Sequence, residues 1–135
     1  MGKSEGNGIY LADDPKVIRK KVMRAVTDAG PQKPNADMSE PVANLFYLLE
    51  LLSTPDTVEH FRASYNDCSI RYGDLKKQLA EDIIKFTTPI RDRIDEIYND
   101  DAYLRKVVKM GAEKARESAS KTVREVREII GYKPF

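Results

Sequence analysis

The chain has 135 residues, of which 41% are apolar and 33% charged, with a formal net charge of +1. This length allows one domain with its own hydrophobic core, and the composition excludes a disordered or fibrous protein. No apolar run approaches the ~20 residues of a membrane-spanning helix, and one cysteine, Cys68, excludes an internal disulfide. We therefore expect a cytoplasmic protein with no membrane partner.

The first residues form a loop rich in glycine and small polar residues, Met1-Gly2-Lys3-Ser4-Glu5-Gly6-Asn7. Glycines let the backbone approach anionic oxygens closely, and lysine supplies a mobile positive charge. Serine and backbone N–H groups add neutral hydrogen-bond donors. The pattern predicts a phosphate-binding loop. It does not fit the end of a P-loop, because that motif needs a glycine five residues before its Gly-Lys pair and a preceding strand.

A first helix is predicted after a short extended piece at residues 9–12. Asp14 is a typical N-cap residue, and Pro15 fits the first helical position. Gly30 is expected to end the helix, and residues 30–38 form a proline-containing loop. Four apolar residues at helical spacing predict the buried face of this helix: Ile18, Val22, Ala25 and Val26.

Two shorter helices follow in the predicted order. Ser39 caps the second helix, whose leucines and phenylalanine surround most of its circumference, so we expect it to be buried at the centre of the domain. Thr54-Pro55-Asp56 starts a third helix, which ends near residues 66–69. Its buried residues are predicted to be Val58, Phe61 and Tyr65.

Two long helices complete the prediction, with a turn at residues 99–101. Their apolar residues recur at spacings of three and four, which is typical of a coiled-coil seam, and Pro89 is expected to kink the first of them. An antiparallel hairpin would place Ile90 opposite Gly111 and Phe86 opposite Ala115. The predicted fold is all-α: a bundle of about five helices including a long antiparallel hairpin, with a short irregular N-terminal loop.

Charge is distributed unevenly along the chain. Residues 1–35 carry seven Lys/Arg and four Asp/Glu, residues 36–102 seven and fourteen, and residues 103–135 nine and four. Basic blocks can indicate contact with a polyanion, although solvated helix faces explain each block equally well. No His/Cys group has metal-ligand spacing, so no metal site is predicted.

Several segments resemble those of bacterial tryptophanyl-tRNA synthetases, which are class I aminoacyl-tRNA synthetases. Met1, Lys3 and Ser4 match the second, fourth and fifth positions of the family's Lys-Met-Ser-Lys-Ser signature loop, while Gly2 departs from the serine at the third. Residues 9–22 and 25–28 resemble the segment after that loop, and residues 73–77 and 111–115 resemble C-terminal motifs. Tyrosyl-tRNA synthetases, a sister family, fit these segments less well. The chain resembles a C-terminal fragment that starts at the signature loop.

This resemblance implies an intact enzyme that activates tryptophan with ATP and Mg²⁺, releases pyrophosphate and joins tryptophan to its tRNA. Gly2, Lys3 and Ser4 would bind the ATP phosphates, and Lys3 would be catalytic as an electrostatic clamp on the leaving pyrophosphate. Residues 1–13 would be a remnant of the catalytic domain, and residues 14–135 the helical domain that binds the anticodon region. We expect the fragment alone to bind no cofactor and to be inactive.

The resemblance also implies tRNA contacts and a homodimeric parent enzyme, although it leaves the oligomeric state of the fragment open. Candidate contacts are basic residues of the first helix and two later arginines, since phosphates attract them: Lys16, Arg19, Lys20, Arg71 and Arg93. Tyr72 is a further candidate for contacting a base. The alternative is a freestanding helical interaction module unrelated to aminoacylation, in which the loop resemblance is accidental.

Overall fold

The structure, a computed structural model, describes residues 8–132 of the chain. It contains five α-helices: α1 (Pro15–Met23), α2 (Glu40–Leu52), α3 (Pro55–Asn66), α4 (Tyr72–Tyr98) and α5 (Asp101–Ile129). No strand occurs between residues 8 and 132, so the predicted all-α class with five helices is confirmed. The chain divides into two compact units, Met1–Asp92 and Arg93–Phe135.

The first unit is built around one hydrophobic core to which all four of its helices contribute. Eleven apolar side chains are buried there, among them Tyr65 of α3, which packs edge-on against Phe46 with ring centroids 6.0 Å apart. The others are Ile18, Val22, Val42, Leu45, Leu49, Leu75, Leu79, Ala80 and Ile83. This core holds α1 through Ile18 and Val22, and Ile9 of the preceding segment packs against it.

Local sequence signals predict the helix starts correctly. Asp14 caps α1 by accepting a hydrogen bond from the Lys16 N–H at 2.8 Å, and Pro15 is its first residue. Ser39 and Thr54 occupy the cap positions of α2 and α3, but their side chains make no capping hydrogen bond. Both helices have a proline within their first two positions.

The end of α1 differs from the prediction. The helix stops at Met23 rather than near Gly30, so Ala25 and Val26 lie outside it and Val26 is 72% exposed. Residues 9–12 are likewise not extended, because Tyr10 and Asp13 close a turn through a 3.0 Å backbone hydrogen bond. In both places, side-chain contacts from other parts of the first unit, Lys21 in one case and Lys76 in the other, accompany the irregular path.

The prediction that α2 is buried on nearly all sides is wrong. Val42, Leu45, Phe46 and Leu49 form its buried face, which follows a helical period. Tyr47, Leu48 and Leu51 on the other side are exposed, Leu51 at 61%. The helix therefore covers one side of the core instead of crossing its centre.

Helix α4 continues through Pro89, as predicted, since it is unbroken from Tyr72 to Tyr98. Two threonines immediately before the proline turn their hydroxyls back onto the helix. Thr87 Oγ1 donates to Ile83 O at 2.9 Å, and Thr88 Oγ1 donates to Ile84 O at 2.7 Å. Proline has no N–H for the i−4 carbonyl, and back-bonding hydroxyls are common near such irregular helical turns.

The second unit consists mainly of α5. Asp100 caps this helix by accepting from the Tyr103 N–H at 2.9 Å, which places the turn where the sequence predicts it. None of residues 101–129 is buried. A Cβ added at Gly111 would meet nothing within 4 Å apart from its own helix. The pairing of Ile90 with Gly111 joins the two units and stays a prediction. Between residues 8 and 132, no helix is long and apolar enough to span a bilayer.

Candidate functional site

A lysine of α1 holds the chain segment that directly follows the N-terminal loop. Lys21 Nζ donates to Gly8 O at 2.7 Å and to Asp13 Oδ2 at 2.6 Å. The same ammonium lies 5.0 Å from the centroid of the Tyr10 ring, a cation–π distance. Asp13 Oδ2 also accepts from the Tyr10 N–H at 2.9 Å. These four residues, Gly8, Tyr10, Asp13 and Lys21, form the Lys21 anchor.

The two charged side chains of the Lys21 anchor are half-buried, whereas Tyr10 is exposed. The side chains of Lys21 and Asp13 are 20% and 17% exposed. Burial acts to raise the pKa of Asp13, but hydrogen bonds from Lys21 and the Tyr10 N–H hold that pKa below its ordinary value. Asp13 is therefore a carboxylate at neutral pH and forms a true ion pair with Lys21.

A second cluster lies where α1 leads into the loop before α2. Asp28 Oδ1 accepts from the Tyr72 hydroxyl at 2.7 Å and from the Gly30 N–H at 2.8 Å, while Oδ2 accepts from the Ser39 hydroxyl. Hydrogen bonds from Ser39, Tyr72 and Gly30 lower the pKa of Asp28, and burial opposes them only weakly. Burial and the bond to Asp28 together raise the pKa of Tyr72 far above its ordinary value.

A buried lysine fixes the same connection from the side of α4. Lys76 is only 9% exposed, and its Nζ donates to Ala25 O at 2.8 Å and to Thr27 Oγ1 at 3.2 Å. Ala25 lies just beyond the C-terminus of α1, where carbonyl groups carry partial negative charge. The ammonium therefore stabilises the point at which the chain leaves the helix.

Two of the predicted tRNA contacts share one face of α1. Lys16 and Lys20 are four residues apart, both are exposed, and Arg24 continues the same row at the C-cap. None of the ion pairs found between residues 8 and 132 involves Lys16 or Lys20. Their charges are therefore available to an anionic partner.

The three predicted arginines are placed differently. Arg19 makes a two-pronged ion pair with Glu81 of α4, at 2.6 Å from Nε and 3.0 Å from Nη2. Arg71 is exposed directly before α4. Arg93 belongs to the second unit and pairs with Glu96 one turn later. The structure therefore groups Lys16 with Lys20, while Arg19 serves to join α1 to α4.

The loop residues Gly2, Lys3 and Ser4 lie outside the described residues. Among residues 8–132, no group of three His, Cys, Asp or Glu side chains is arranged to hold a metal ion. The nearest described contact to the loop is the Lys21 anchor. Sequence reasoning did not predict this role of Lys21, because its partners Gly8 and Asp13 meet it only once the segment turns back over α1.

Curated relatives are similar in sequence to this chain over nearly its whole length. The tryptophan–tRNA ligase of Porphyromonas gingivalis is 64% identical over 133 residues, which cover 98% of this chain and 41% of that protein. Tryptophan–tRNA ligase 1 of Streptomyces coelicolor is 40% identical over 139 residues, covering 99% of this chain and 40% of the relative. The chain thus spans about two fifths of the length of these relatives.

Solved structures share the fold. A tryptophanyl-tRNA synthetase of Campylobacter jejuni, described as complexed with ADP and tryptophan, superimposes with a TM-score of 0.77 at 24% identity, covering 97% of this chain and 40% of that one. A second structure of the synthetase from that organism gives a TM-score of 0.78. The family model described as tRNA synthetases class I (W and Y) matches residues 1–88. The chain belongs to this family, the class I tRNA synthetases for tryptophan and tyrosine.

Proposed function

We propose that this chain is the C-terminal part of a tryptophan–tRNA ligase, starting at the signature loop of the enzyme. The observation that carries the proposal is the 64% identity to the Porphyromonas gingivalis ligase across 98% of this chain. The match to the class I family model argues against the alternative of a freestanding interaction module.

In this proposal the intact enzyme joins tryptophan to its tRNA through an adenylate made from ATP. Gly2, Lys3 and Ser4 bind the ATP phosphates, and the Lys3 ammonium stabilises negative charge that develops on the departing pyrophosphate. Mg²⁺ enters with the nucleotide. Residues 1–13 then belong to the catalytic domain and residues 14–135 to the helical tRNA-binding domain of a cytoplasmic, homodimeric enzyme.

The adenylate step needs a pocket for adenosine and tryptophan, and the chain spans only about two fifths of the length of the relatives it matches. We expect the purified 135-residue chain to show no tryptophan-dependent exchange between ATP and pyrophosphate. In the full-length ligase, Lys3→Ala should lower this exchange by at least tenfold, because one charged contact to the leaving group is lost. Exchange by the isolated chain, or an unaffected Lys3→Ala enzyme, would contradict the proposal.

The tRNA proposal rests on the row of exposed cations on α1. Binding of tRNA to the chain should weaken with salt, since each phosphate contact releases counterions. Replacing Lys16 and Lys20 together by methionine should lower the slope of log K against log salt by about 2, one for each lost contact. The control is Lys85→Met, which removes an exposed lysine of α4.

The specificity of the chain for its tRNA needs a separate comparison. A tRNA with a CCA anticodon should bind more tightly than the same tRNA with a scrambled anticodon, because unpaired loop bases carry the sequence information. Equal affinities would reduce the interaction to general attraction between a basic surface and a polyanion. An unchanged salt slope in the double variant would remove Lys16 and Lys20 from the interface. The same salt titration tests Arg71, Arg93 and Arg19, although the charge of Arg19 is already paired with Glu81.

A further inference from the structure

Helix α5 carries a stripe of positive charge along one side. At about 100° of rotation per residue, four cationic residues of the helix fall within a sector of about 40°: Arg105, Lys109, Arg116 and Arg127. The first and the last are about 33 Å apart along the axis, since an α-helix rises about 1.5 Å per residue. No Asp or Glu of α5 falls inside this sector. These four residues form the α5 stripe.

The charges of the α5 stripe have little compensation in the described chain. Arg105 pairs with Asp101 at 3.9 Å, but both side chains are more than 80% exposed, and such a pair contributes little. None of the other ion pairs found between residues 8 and 132 involves Lys109, Arg116 or Arg127. Arg105 and Lys109 lie one turn apart and repel each other, so the stripe does not serve the stability of the helix.

The opposite side of α5 has the mixed charges of an ordinary solvated helix. Lys121 has Glu117 four residues before it and Glu125 four residues after it. Side chains at this spacing are neighbours on a helix, so their opposite charges balance. Lys114 likewise has Glu117 three residues after it. Solvation of the helix accounts for that side, but it does not explain why the cations of the stripe are kept apart from every carboxylate.

A groove borders the C-terminal half of the stripe. Arg116 and Arg127 line it together with Arg124 and Tyr132. The Arg127 guanidinium lies 5.4 Å from the centroid of the Tyr132 ring, a cation–π contact that orients the group without neutralising it. The carboxylate of Glu128 is the only one among the lining residues. Three guanidiniums around one groove favour phosphate, whose oxygens accept two parallel hydrogen bonds from arginine.

The length of the α5 stripe favours a polymer over a small anion, because a single phosphate would contact only one end of it. An anionic membrane surface is the other extended polyanion. A helix that lies on a membrane needs bulky apolar side chains beside its cations. In α5 the middle of the apolar side consists of Gly111, Ala115 and Ser118, which offer little area to insert. The observations therefore favour the backbone of a nucleic acid.

We propose that the α5 stripe binds the phosphate backbone of tRNA, as a second contact surface besides the row of cations on α1. This inference rests on the proposed function of the chain. Phosphate contacts fix the position of a bound nucleic acid but carry no sequence information directly. The stripe therefore supplies affinity that falls with salt, and it leaves discrimination of the anticodon to other residues.

A salt titration of tRNA binding compares two double variants of the 135-residue chain. Lys109→Met with Arg116→Met removes two charges from the stripe and keeps good helix formers. We expect the slope of log K against log salt to fall by about 2. The affinity at about 0.1 M salt should fall about tenfold or more, equally for tRNAs with a CCA and a scrambled anticodon.

The matched control is Lys114→Met with Lys121→Met, which removes the same charge from the opposite side of α5. It should leave the slope within about 0.5 of the wild-type value. Lys109→Arg with Arg116→Lys keeps the charges and should keep the slope. All these side chains are exposed, so circular dichroism should show the same helix content in every variant. A wild-type slope in the stripe variant, or equal losses in the stripe variant and the control, would overturn the inference.

The full-length ligase separates tRNA binding from amino-acid activation. The stripe variant should raise KM for tRNA about fivefold or more and leave the exchange between ATP and pyrophosphate unchanged, because the adenylate step involves no tRNA. An unchanged KM for tRNA would contradict the proposal. Vesicles of phosphatidylcholine and phosphatidylserine test the membrane: stripe-dependent binding to them, with tRNA binding unaffected, would assign the stripe to lipid instead.

The variants of α1 show which proposal a negative result concerns. If replacing Lys16 and Lys20 lowers the salt slope while the stripe variant does not, only the role of α5 fails. If the wild-type chain binds no tRNA at all, the proposed tRNA-binding function fails together with this inference.

Discussion

Asp28 connects three stretches of sequence that are far apart along the chain. Its carboxylate accepts hydrogen bonds from Gly30 beside it, Ser39 at the start of α2 and Tyr72 at the start of α4, 44 residues away. Three donors to one carboxylate favour the charged form, which is why its pKa lies below the ordinary value. Asp28 therefore holds the segment between α1 and α2 together with the Lys76 ammonium.

We expect Asp28→Asn to lower the free energy of unfolding by about 1 kcal/mol at pH 7, because a hydrogen bond to a charged acceptor is stronger than one to an amide. The pKa of Asp28 is depressed on folding, so its stabilisation is present above the ordinary value of 3.8 and is lost as the pH falls through the folded value. Urea unfolding at pH 7 and pH 3 measures this: the difference between wild type and variant should shrink at pH 3. An equal difference at both pH values would contradict the assignment.

Other single residues show where sequence reasoning reaches its limit. Asp14 and Pro15 were predicted correctly because a helix start depends on residues that are adjacent in sequence. The partners of Lys76 are 49 and 51 residues away, so its role emerges only from the fold. The same holds for the Lys21 anchor, whose members are close in sequence but meet through a turn that no local motif indicates.

At the scale of elements, the apolar patterns predicted where the helices lie more reliably than which of their faces are buried. The period of α2 is clear, yet Tyr47, Leu48 and Leu51 are exposed, because a pattern of apolar residues does not say how many sides have a partner. The early end of α1 has a similar cause. Ala25 continues its apolar stripe, but Lys76 and Asp28 hold the following residues in a non-helical path.

Helix α5 allows a direct test of how well a sequence pattern predicts packing. Gly111 resembles a packing residue in sequence, yet the space where its Cβ would lie is open. Gly111→Ala should therefore stabilise α5 by about 1 kcal/mol, the difference in helix propensity, with no steric cost. Amide hydrogen exchange should slow about fivefold near residue 111.

Gly73→Ala is the matched control for that substitution. A Cβ added at Gly73 would also meet open space. Because Gly73 lies in the first turn of α4, amide exchange in α5 should stay unchanged. Faster exchange around residue 111 in Gly111→Ala would mean that the glycine packs against a neighbour after all.

At the scale of the whole molecule, the hydrophobic core belongs to one of the two units. All eleven buried apolar side chains of the described chain lie between Ile18 and Ile83. Lys21, Asp28 and their partners, from Gly8 to Tyr72, belong to the same unit. The second unit, Arg93–Phe135, has no buried residue among those the structure describes. Folding of the first unit should therefore not require the second.

A chain ending after Asp92 tests this independence. We expect it to unfold cooperatively in urea, with a free energy of unfolding within about 1 kcal/mol of the 135-residue chain, because none of the described side chains that it loses is buried. A chain ending after Gly73 is the control, since it lacks Leu75, Leu79, Ala80 and Ile83 of the core. Each buried Leu or Ile contributes about 2–5 kcal/mol, so their combined loss approaches the whole stability of a small domain, and no cooperative transition should remain. If the chain ending after Asp92 also unfolded without a transition, residues 93–135 would have to supply stability that their exposure gives no reason to expect.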